Sequence, residues 1–473
     1  MKTMRVLFPI LFFTLCVYAG NPVDDFVKSP LLANANVSLL VKDVNTGQTL
    51  YQSRAGNVSI PASTMKLVTT ATALEMFGPD MRFETRLEID GWVGKDSILT
   101  GNIYIRGGGD PTLGSEKLGE RVFLSKWVAA IRVAGINKIN GRIIADNSNF
   151  EQQVVNIKWT WEDMGNYYAP GIHGLSYLDN TFRLVFRSGK IGTTPEMLRT
   201  EPEIPGINID NHVKSTSIGF DNAYFYGAPY SNERSIYGEI PANKTEFVVK
   251  GDIPNPGLLL ASDFNKSLFK SGITIMESPV VQAYTTGIRK TIYTYLSPPL
   301  RDIITETNVK SNNHFAEYIF KHISTKNAKV GTTEGAIEST RTFWRSKGLP
   351  VDQLFQFDGS GLSPADAVSA NFFVELLTYM KTKSKYANDF YNSLPVSGGR
   401  GTLSTLLVNT PLQGKVHAKS GTIQNVKCYA GYIELKNRTL VFALMVNYAN
   451  GSSKAVENKM EEFLLQVAAA SNQ

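Results

Sequence analysis

Apolar and polar residues change rhythm along this chain, and each rhythm predicts a different element. In "PASTMKLVTTATALEMFGPD", Pro61 to Asp80, residues Leu67, Thr70, Leu74 and Phe77 recur near the helical period and Gly78-Pro79 supplies a stop. That spacing predicts one buried helix. Closer to the N-terminus, "SLLVKDVNTGQTLYQ" predicts two strands around an Asn-Thr-Gly turn. Close to the C-terminus, "GKVHAKSGTIQNVKCYAGYIELKNRTLVFALMVNY" predicts about three further strands with a turn at Lys436-Asn437. A closing helix sets Val456, Met460, Phe463, Leu464 and Val467 on one face. The two ends of the chain therefore predict one five-stranded antiparallel sheet covered by helices, including the helix that Ser63 opens. The middle of the chain is then an insertion.

The insertion begins with strand grammar, the alternation in "RFETRLEIDGWVGKDSILTGNIYIRGGGDPTL". A helix over Lys117 to Val133 and a strand in "GRIIADNSNF" follow. From Asn166 to about Val249 the text is short strands separated by Gly, Pro and Asn turns, and "PGLLLASDFNKSLFKSGI" returns to a helical period. The glycines of "RGGGDP" do not carry a strand into a helix as a phosphate-binding loop would, and they read as a turn. The expected fold is mixed α/β (α+β). Residues 20–80 and 290–473 form the main domain, 81–165 and 255–289 an inserted β-rich domain, and 166–254 a small β-rich domain nested within it. No repeat array or low-complexity tract is visible.

Composition narrows the class. A chain of 473 residues exceeds one ordinary core, and 42% hydrophobic with 19% charged residues describes a folded globular protein. The first stretch, "MKTMRVLFPILFFTLCVYAG", has Lys2 and Arg5, an apolar run from Val6 to Val17 and small residues around Ala19. It predicts a cleaved secretory leader over residues 1–19 and a mature chain that is soluble and extracytoplasmic, periplasmic where such a compartment exists. No later segment is apolar for long enough to span a bilayer. Of the two cysteines only Cys428 outlasts the leader, which excludes an internal disulfide and predicts a buried structural thiol. The net charge of +6 falls to about +4 without Lys2 and Arg5, with no dense basic run, so nucleic acid is not an expected partner. The small positive excess suits an acidic extracytoplasmic polymer. The five histidines, His173, His212, His314, His322 and His417, lack metal-ligand spacing, so neither a metal nor another cofactor is expected.

The candidate chemistry lies in three short motifs. Ser63 and Lys66 stand three apart and so share a helix face, at the positive end of the helix dipole. By themselves they read equally as an N-cap and a solvated lysine. Two later motifs supply what a serine nucleophile would need: Ser311-Asn312-Asn313 running into a helix, and Lys419-Ser420-Gly421-Thr422 at the start of a strand. Lys66, neutral when buried beside a second cation, Lys419, would take the Ser63 proton. Ser311 would relay a proton to the leaving group, and the Asn313 amide would hold a substrate carbonyl. Gly421 would let the substrate backbone lie close to the strand. The backbone N–H groups of Ser63 and Thr422 would form an oxyanion hole. Lys419 with the Ser420 and Thr422 hydroxyls would bind a C-terminal carboxylate. The implied reaction is acyl transfer through a covalent acyl-serine. A β-lactamase or esterase would use the same chemistry, and a non-catalytic wall-binding protein of the same fold is the reading from another class.

The order S-x-x-K, S-x-N, K-[TS]-G is that of penicillin-binding proteins and class A β-lactamases. Five further stretches make the resemblance specific: "IRGGGDPTL", "DNSNF", "WTWEDMGNYYAPGIHGL", "DGSGLS" and "LPVSGGRGTL". The chain resembles the class C low-molecular-mass penicillin-binding proteins, the D-alanyl-D-alanine carboxypeptidase/endopeptidase family. That family inserts two domains between its first two motifs, and here 248 residues separate Ser63 from Ser311. The resemblance implies action on peptidoglycan stem peptides and crosslinks, with β-lactam antibiotics as inhibitors. It also implies that Asp163 reads the amino end of a diamino-acid side chain, with Tyr168 nearby. Asp163 as a solvated or capping acid is the alternative. Two positions depart from the pattern: Ser420 replaces threonine and keeps the hydroxyl, and Pro364 stands where arginine is frequent.

Overall fold

The computed structural model describes residues 21–284 and 287–471, so the leader reading lies outside the described residues. Both chain ends build a five-stranded antiparallel sheet. Strand Asn36–Asp43 pairs with Thr49–Ser53 on one side and with Thr439–Asn447 on the other. Thr439–Asn447 then pairs with Val426–Glu434, and that with the edge strand Val416–Ile423. Alternation decides which face each residue serves. Val441, Ala443 and Met445 join the core beneath helices Met65–Phe77 and Ala370–Thr382, whereas Leu440, Phe442, Leu444 and Val446 meet helix Ser453–Ser471. With both faces covered, the strand is apolar almost throughout, which is why "LVFALMV" carries no polar alternation. The closing helix buries the five expected residues, and Phe26 of the short helix Pro22–Val27 packs on Phe463 with ring centroids 5.1 Å apart.

The insertion has its own apolar cluster, running from Leu87 to Tyr295. Its larger part is a mixed five-stranded sheet ordered Val280–Gln282, Ile143–Asp146, Ile103–Arg106, Glu84–Ile89, Lys290–Leu296. Helices Phe123–Val133 and Pro256–Lys270 pack together through Trp127 and Phe264, so this part is α/β rather than β-rich alone. The first helix is shorter than the sequence predicts because Lys117 to Val122 form turns around Gly119, whose N–H donates to the Ser115 carbonyl. Lys290–Leu296, expected at the head of the returning segment, instead pairs with Glu84–Ile89 of the insertion. Two three-stranded sheets make the nested part: Glu196–Glu201, Thr181–Arg187 and Phe247–Asp252 in one, Asn208–Thr216, Glu233–Pro241 and Asn222–Tyr226 in the other. Inside it, Arg234 is fully buried and its guanidinium lies 2.9 Å from Asp252 Oδ1. Among the described residues, no helix is long and apolar enough to cross a membrane.

Candidate active site

Helix Met65–Phe77 is buried on every side over Met65 to Leu74, which explains its weak amphipathic signature. It ends at Gly78, whose φ of 80° only glycine adopts cheaply. A single 3₁₀ turn, Ala62–Thr64, precedes it and carries Ser63. Ala62 is held at φ 46°, and a Cβ on Gly361 would stand 1.9 Å from the Ala62 carbonyl oxygen. The "DGSGLS" loop therefore packs directly beneath the Ser63 turn.

Lys66 is fully buried, with Nζ 2.9 Å from Ser63 Oγ, 2.7 Å from Asn313 Oδ1 and 2.7 Å from the Ser360 carbonyl oxygen. Two of these neighbours are carbonyl acceptors. A neutral amine that satisfies both with its two N–H groups directs its lone pair at the Ser63 hydroxyl. Burial brings the Lys66 pKa down to about 7, against the opposing charges of Asp358, Glu317 and Asp366. Burial is the largest cause for both lysines, and the repulsion between Lys66 and Lys419, the pair that the sequence set side by side, adds to it and helps to hold Lys419 well below its ordinary value.

Helix Leu300–Lys310 ends at Ser311 in the left-handed conformation, φ 57°, and Asn312 caps the next helix, Asn313–Ser324, by accepting from the Phe315 N–H. This turn aims Ser311 and Asn313 into the same space. Lys419 Nζ lies 3.0 Å from Ser311 Oγ and 2.7 Å from the Ser420 carbonyl oxygen. Asn313 Nδ2 donates to the Tyr168 carbonyl at 2.9 Å. Ser420 Oγ donates to Thr402 Oγ1 at 2.7 Å, and Thr422 is exposed two residues further along the edge strand. The sequence reading gave Gly421 a substrate-side purpose. Its backbone lies against the Ser63 turn instead, where a Cβ would stand 2.4 Å from the Pro61 carbonyl oxygen and 3.1 Å from the Thr64 nitrogen.

Three buried carboxyl groups that the sequence reading missed surround Lys66. Glu317, one turn after Asn313 on its helix, accepts from the Gly359 and Ser360 N–H groups at 3.0 and 2.8 Å. Asp358 accepts from the N–H groups of Ser360, Gly361 and Ser363 and from Trp159 Nε1. Asp366 accepts from the Phe357 N–H at 2.6 Å. Burial raises the Glu317 and Asp366 carboxyl pKa values, and the nearby Asp358 charge raises them further. The i, i+4 spacing of Asn313 and Glu317, and a loop-forming Asp-Gly-Ser-Gly, were the available signals.

Asp163 is 8% exposed, and its Oδ2 accepts from the Thr160 N–H at 3.1 Å and the Thr160 hydroxyl at 2.7 Å, so it caps its own turn. Tyr168 lies close enough that the Asp163 charge, after burial, helps to raise its phenol pKa. His314 is buried with Nε2 3.2 Å from Ser176 Oγ, and burial lowers its pKa to about 4. Cys428 is a buried thiol pushed up to about 12 by its surroundings.

Known proteins share both the sequence and the fold. The D-alanyl-D-alanine carboxypeptidase of Actinomadura sp. (strain R39) is 26% identical over 444 residues, covering 91% of this chain and 81% of that protein. The D-alanyl-D-alanine carboxypeptidase DacB of Haemophilus influenzae is 24% identical over 456 residues, covering 93% and 91%. The crystal structure of penicillin binding protein 4 (dacB) from Haemophilus influenzae superposes with a TM-score of 0.82 at 21% identity, covering 95% of this chain and 99% of that one. Residues 20–467 match the D-Ala-D-Ala carboxypeptidase 3 (S13) family.

Proposed function

The chain belongs to the D-Ala-D-Ala carboxypeptidase 3 (S13) family of serine-type penicillin-binding peptidases, and on that footing we propose that it cleaves peptidoglycan stem peptides and crosslinks through an acyl-serine at Ser63. The observation that carries the reading is the Lys66 nitrogen, 2.9 Å from Ser63 Oγ and 2.7 Å from each of two carbonyl oxygens, an arrangement in which a neutral amine would turn its lone pair to Ser63. Lys66 takes the Ser63 proton as Oγ adds to the carbonyl of the penultimate D-alanine. The Ser63 and Thr422 N–H groups hold the oxyanion. Ser311 relays that proton from Lys66 to the departing amine, the acyl bond to Ser63 forms as the peptide bond breaks, and water then adds to the acyl carbonyl, giving its proton back to Ser63 as the acid leaves. Lys419, Ser420 and Thr422 receive the terminal carboxylate, and Asn313 receives a carbonyl of the acyl side.

Asp163 and Tyr168 take the diamino-acid side chain of the stem. Endopeptidase action uses the same groups with a crosslinked strand as leaving group. The related penicillin binding protein 4 structure in complex with a β-lactam supports β-lactam binding here. Export follows from the leader over residues 1–19. Residues 20–80 and 297–473 act as the catalytic domain, a division supported by the separate apolar clusters.

The test is covalent labelling. Benzylpenicillin should add one acyl group to the purified protein by intact mass, at Ser63 by peptide mapping, and Ser63→Ala should remove the adduct and the peptidase activity together. An adduct on the alanine variant would eliminate Ser63 as nucleophile.

A further inference from the structure

The nested domain turns an aromatic face to solvent. On its sheet of Asn208–Thr216, Glu233–Pro241 and Asn222–Tyr226, alternation buries Val213, Ile236 and Phe225 and leaves His212, Tyr237 and Tyr224 pointing outward, side by side in register. The His212 and Tyr237 rings stack with centroids 4.4 Å apart, Tyr226 meets Tyr237 at 5.9 Å, and Trp161 meets Tyr226 at 6.4 Å. Trp161 is 60% exposed and Tyr237 48%. Among the described residues, nothing takes the Tyr224, Tyr226 and Tyr237 hydroxyls or Trp161 Nε1 in a hydrogen bond. The row of rings runs up to the reaction cleft. Trp161 belongs to the turn that Asp163 caps. Burial, then a neighbouring carboxylate, then the Tyr224 phenol raise the pKa values of Tyr167 and Tyr168, so Tyr224 stands beside both.

Exposed rings that are apolar on their faces and wet at their hydroxyls suit a ligand that is itself apolar on one face and hydroxylated at its edge. A pyranose ring has that form. Charge narrows the choice. Asp210, Glu233 and Glu239 project from the same face as Lys214, an acidic balance that disfavours nucleic acid and other polyanions. We propose that the face formed by Trp161, Tyr226, Tyr237 and His212 binds the amino-sugar strand from which a stem peptide hangs, by stacking against its sugar rings. The site takes the glycan and lies outside the cleft that takes the peptide, and it rests on the peptidoglycan reading above. A strand held there keeps its own stem peptides near Ser63 at a raised effective concentration.

The first measurement is calorimetric titration with glycan strands stripped of their stem peptides by an amidase. The wild-type protein should bind them, and Trp161→Ala with Tyr237→Ala should weaken that binding by roughly tenfold. Trp161→Phe with Tyr237→Phe keeps the ring faces and should retain most of it, and Tyr237→Ser alone gives the same comparison if the alanine pair unfolds. The second measurement is kinetic. The wild-type protein should cleave glycan-borne stem peptides with a KM roughly tenfold below that of the same peptide free in solution, and the alanine pair should bring the two KM values together at unchanged kcat. A wild-type protein that does not bind stripped glycan overturns the proposal, as does a KM advantage that survives the alanine pair, or binding of RNA in place of glycan. Stripped glycan carries no scissile bond, so its binding is read whether or not the peptidase reading holds. Normal benzylpenicillin acylation without glycan binding refutes the face and leaves that reading intact.

Discussion

Lys66 illustrates how its surroundings bring a usually cationic side chain within reach of its neutral form. Burial favours the neutral amine, and Asp358 is the largest of the charges that oppose it. Acylation should therefore rise with pH through about 7, as Lys66 loses its proton. Asp358→Asn removes a charge that favours the protonated lysine, so the acidic limb of the acylation profile should move to lower pH. The same substitution turns one carboxylate oxygen into an NH2 group and leaves either Trp159 Nε1 with the Ser363 N–H or the Ser360 and Gly361 N–H groups without their acceptor, at a cost of about 1–3 kcal/mol per group, visible as a lower Tm. A stopped-flow penicillin profile whose limb stays in place would mean that Asp358 acts only through the loop it folds. Ser63, Lys66, Ser311, Asn313 and Lys419 were legible because their spacing is local and their order is distinctive. The carboxyl groups around Lys66 were not, since Glu317, Asp358 and Asp366 acquire a common environment only when the chain closes around it.

Among the elements, the edge strand Val416–Ile423 has the tightest tolerance, because it must lie flat on the Ser63 turn. Gly421→Ala should drive its new methyl into the Pro61 carbonyl and displace Lys419 from Ser311. A displacement near 1 Å in such a site costs about a hundredfold in rate, and that is the fall expected in the second-order acylation constant. Acylation at the wild-type rate would show that the turn and strand can separate without harm. The strands of the main sheet were readable from period and turns, and the closing helix from its single apolar face. Strand Lys290–Leu296 has readable alternation of its own, yet its partner Glu84–Ile89 lies two hundred residues away, and no local pattern says which sheet it joins. Helix Met65–Phe77 hides Thr69, Thr70 and Thr72 completely, so polarity alone gives a blurred picture of its burial.

At the scale of the whole molecule, the insertion reaches into the site it interrupts. Trp159 donates to Asp358, Asn156 Nδ2 donates to the Phe357 carbonyl at 2.6 Å, and Tyr168 accepts from Asn313. On the proposed reading, this division would leave the acyl chemistry to the main sheet and give the insertion a share in choosing the substrate. Asp163→Asn retains a carbonyl oxygen for Thr160 and removes only charge, so it should slow cleavage of a free-amine stem peptide by roughly ten- to a hundredfold. An amine-blocked peptide and penicillin should react as before, and equal losses on both peptides would assign Asp163 to structure alone. The sheet that both chain ends share also constrains biosynthesis. Asn36 finds its cross-strand partner in Asn447, so the earlier strand waits for one made about four hundred residues later. Closing so long a loop is entropically unfavourable and slow. A chain released before Lys419 carries Ser63 and Lys66 without the edge strand that faces them, so on the proposed reading a truncated translation product would be inert toward the wall.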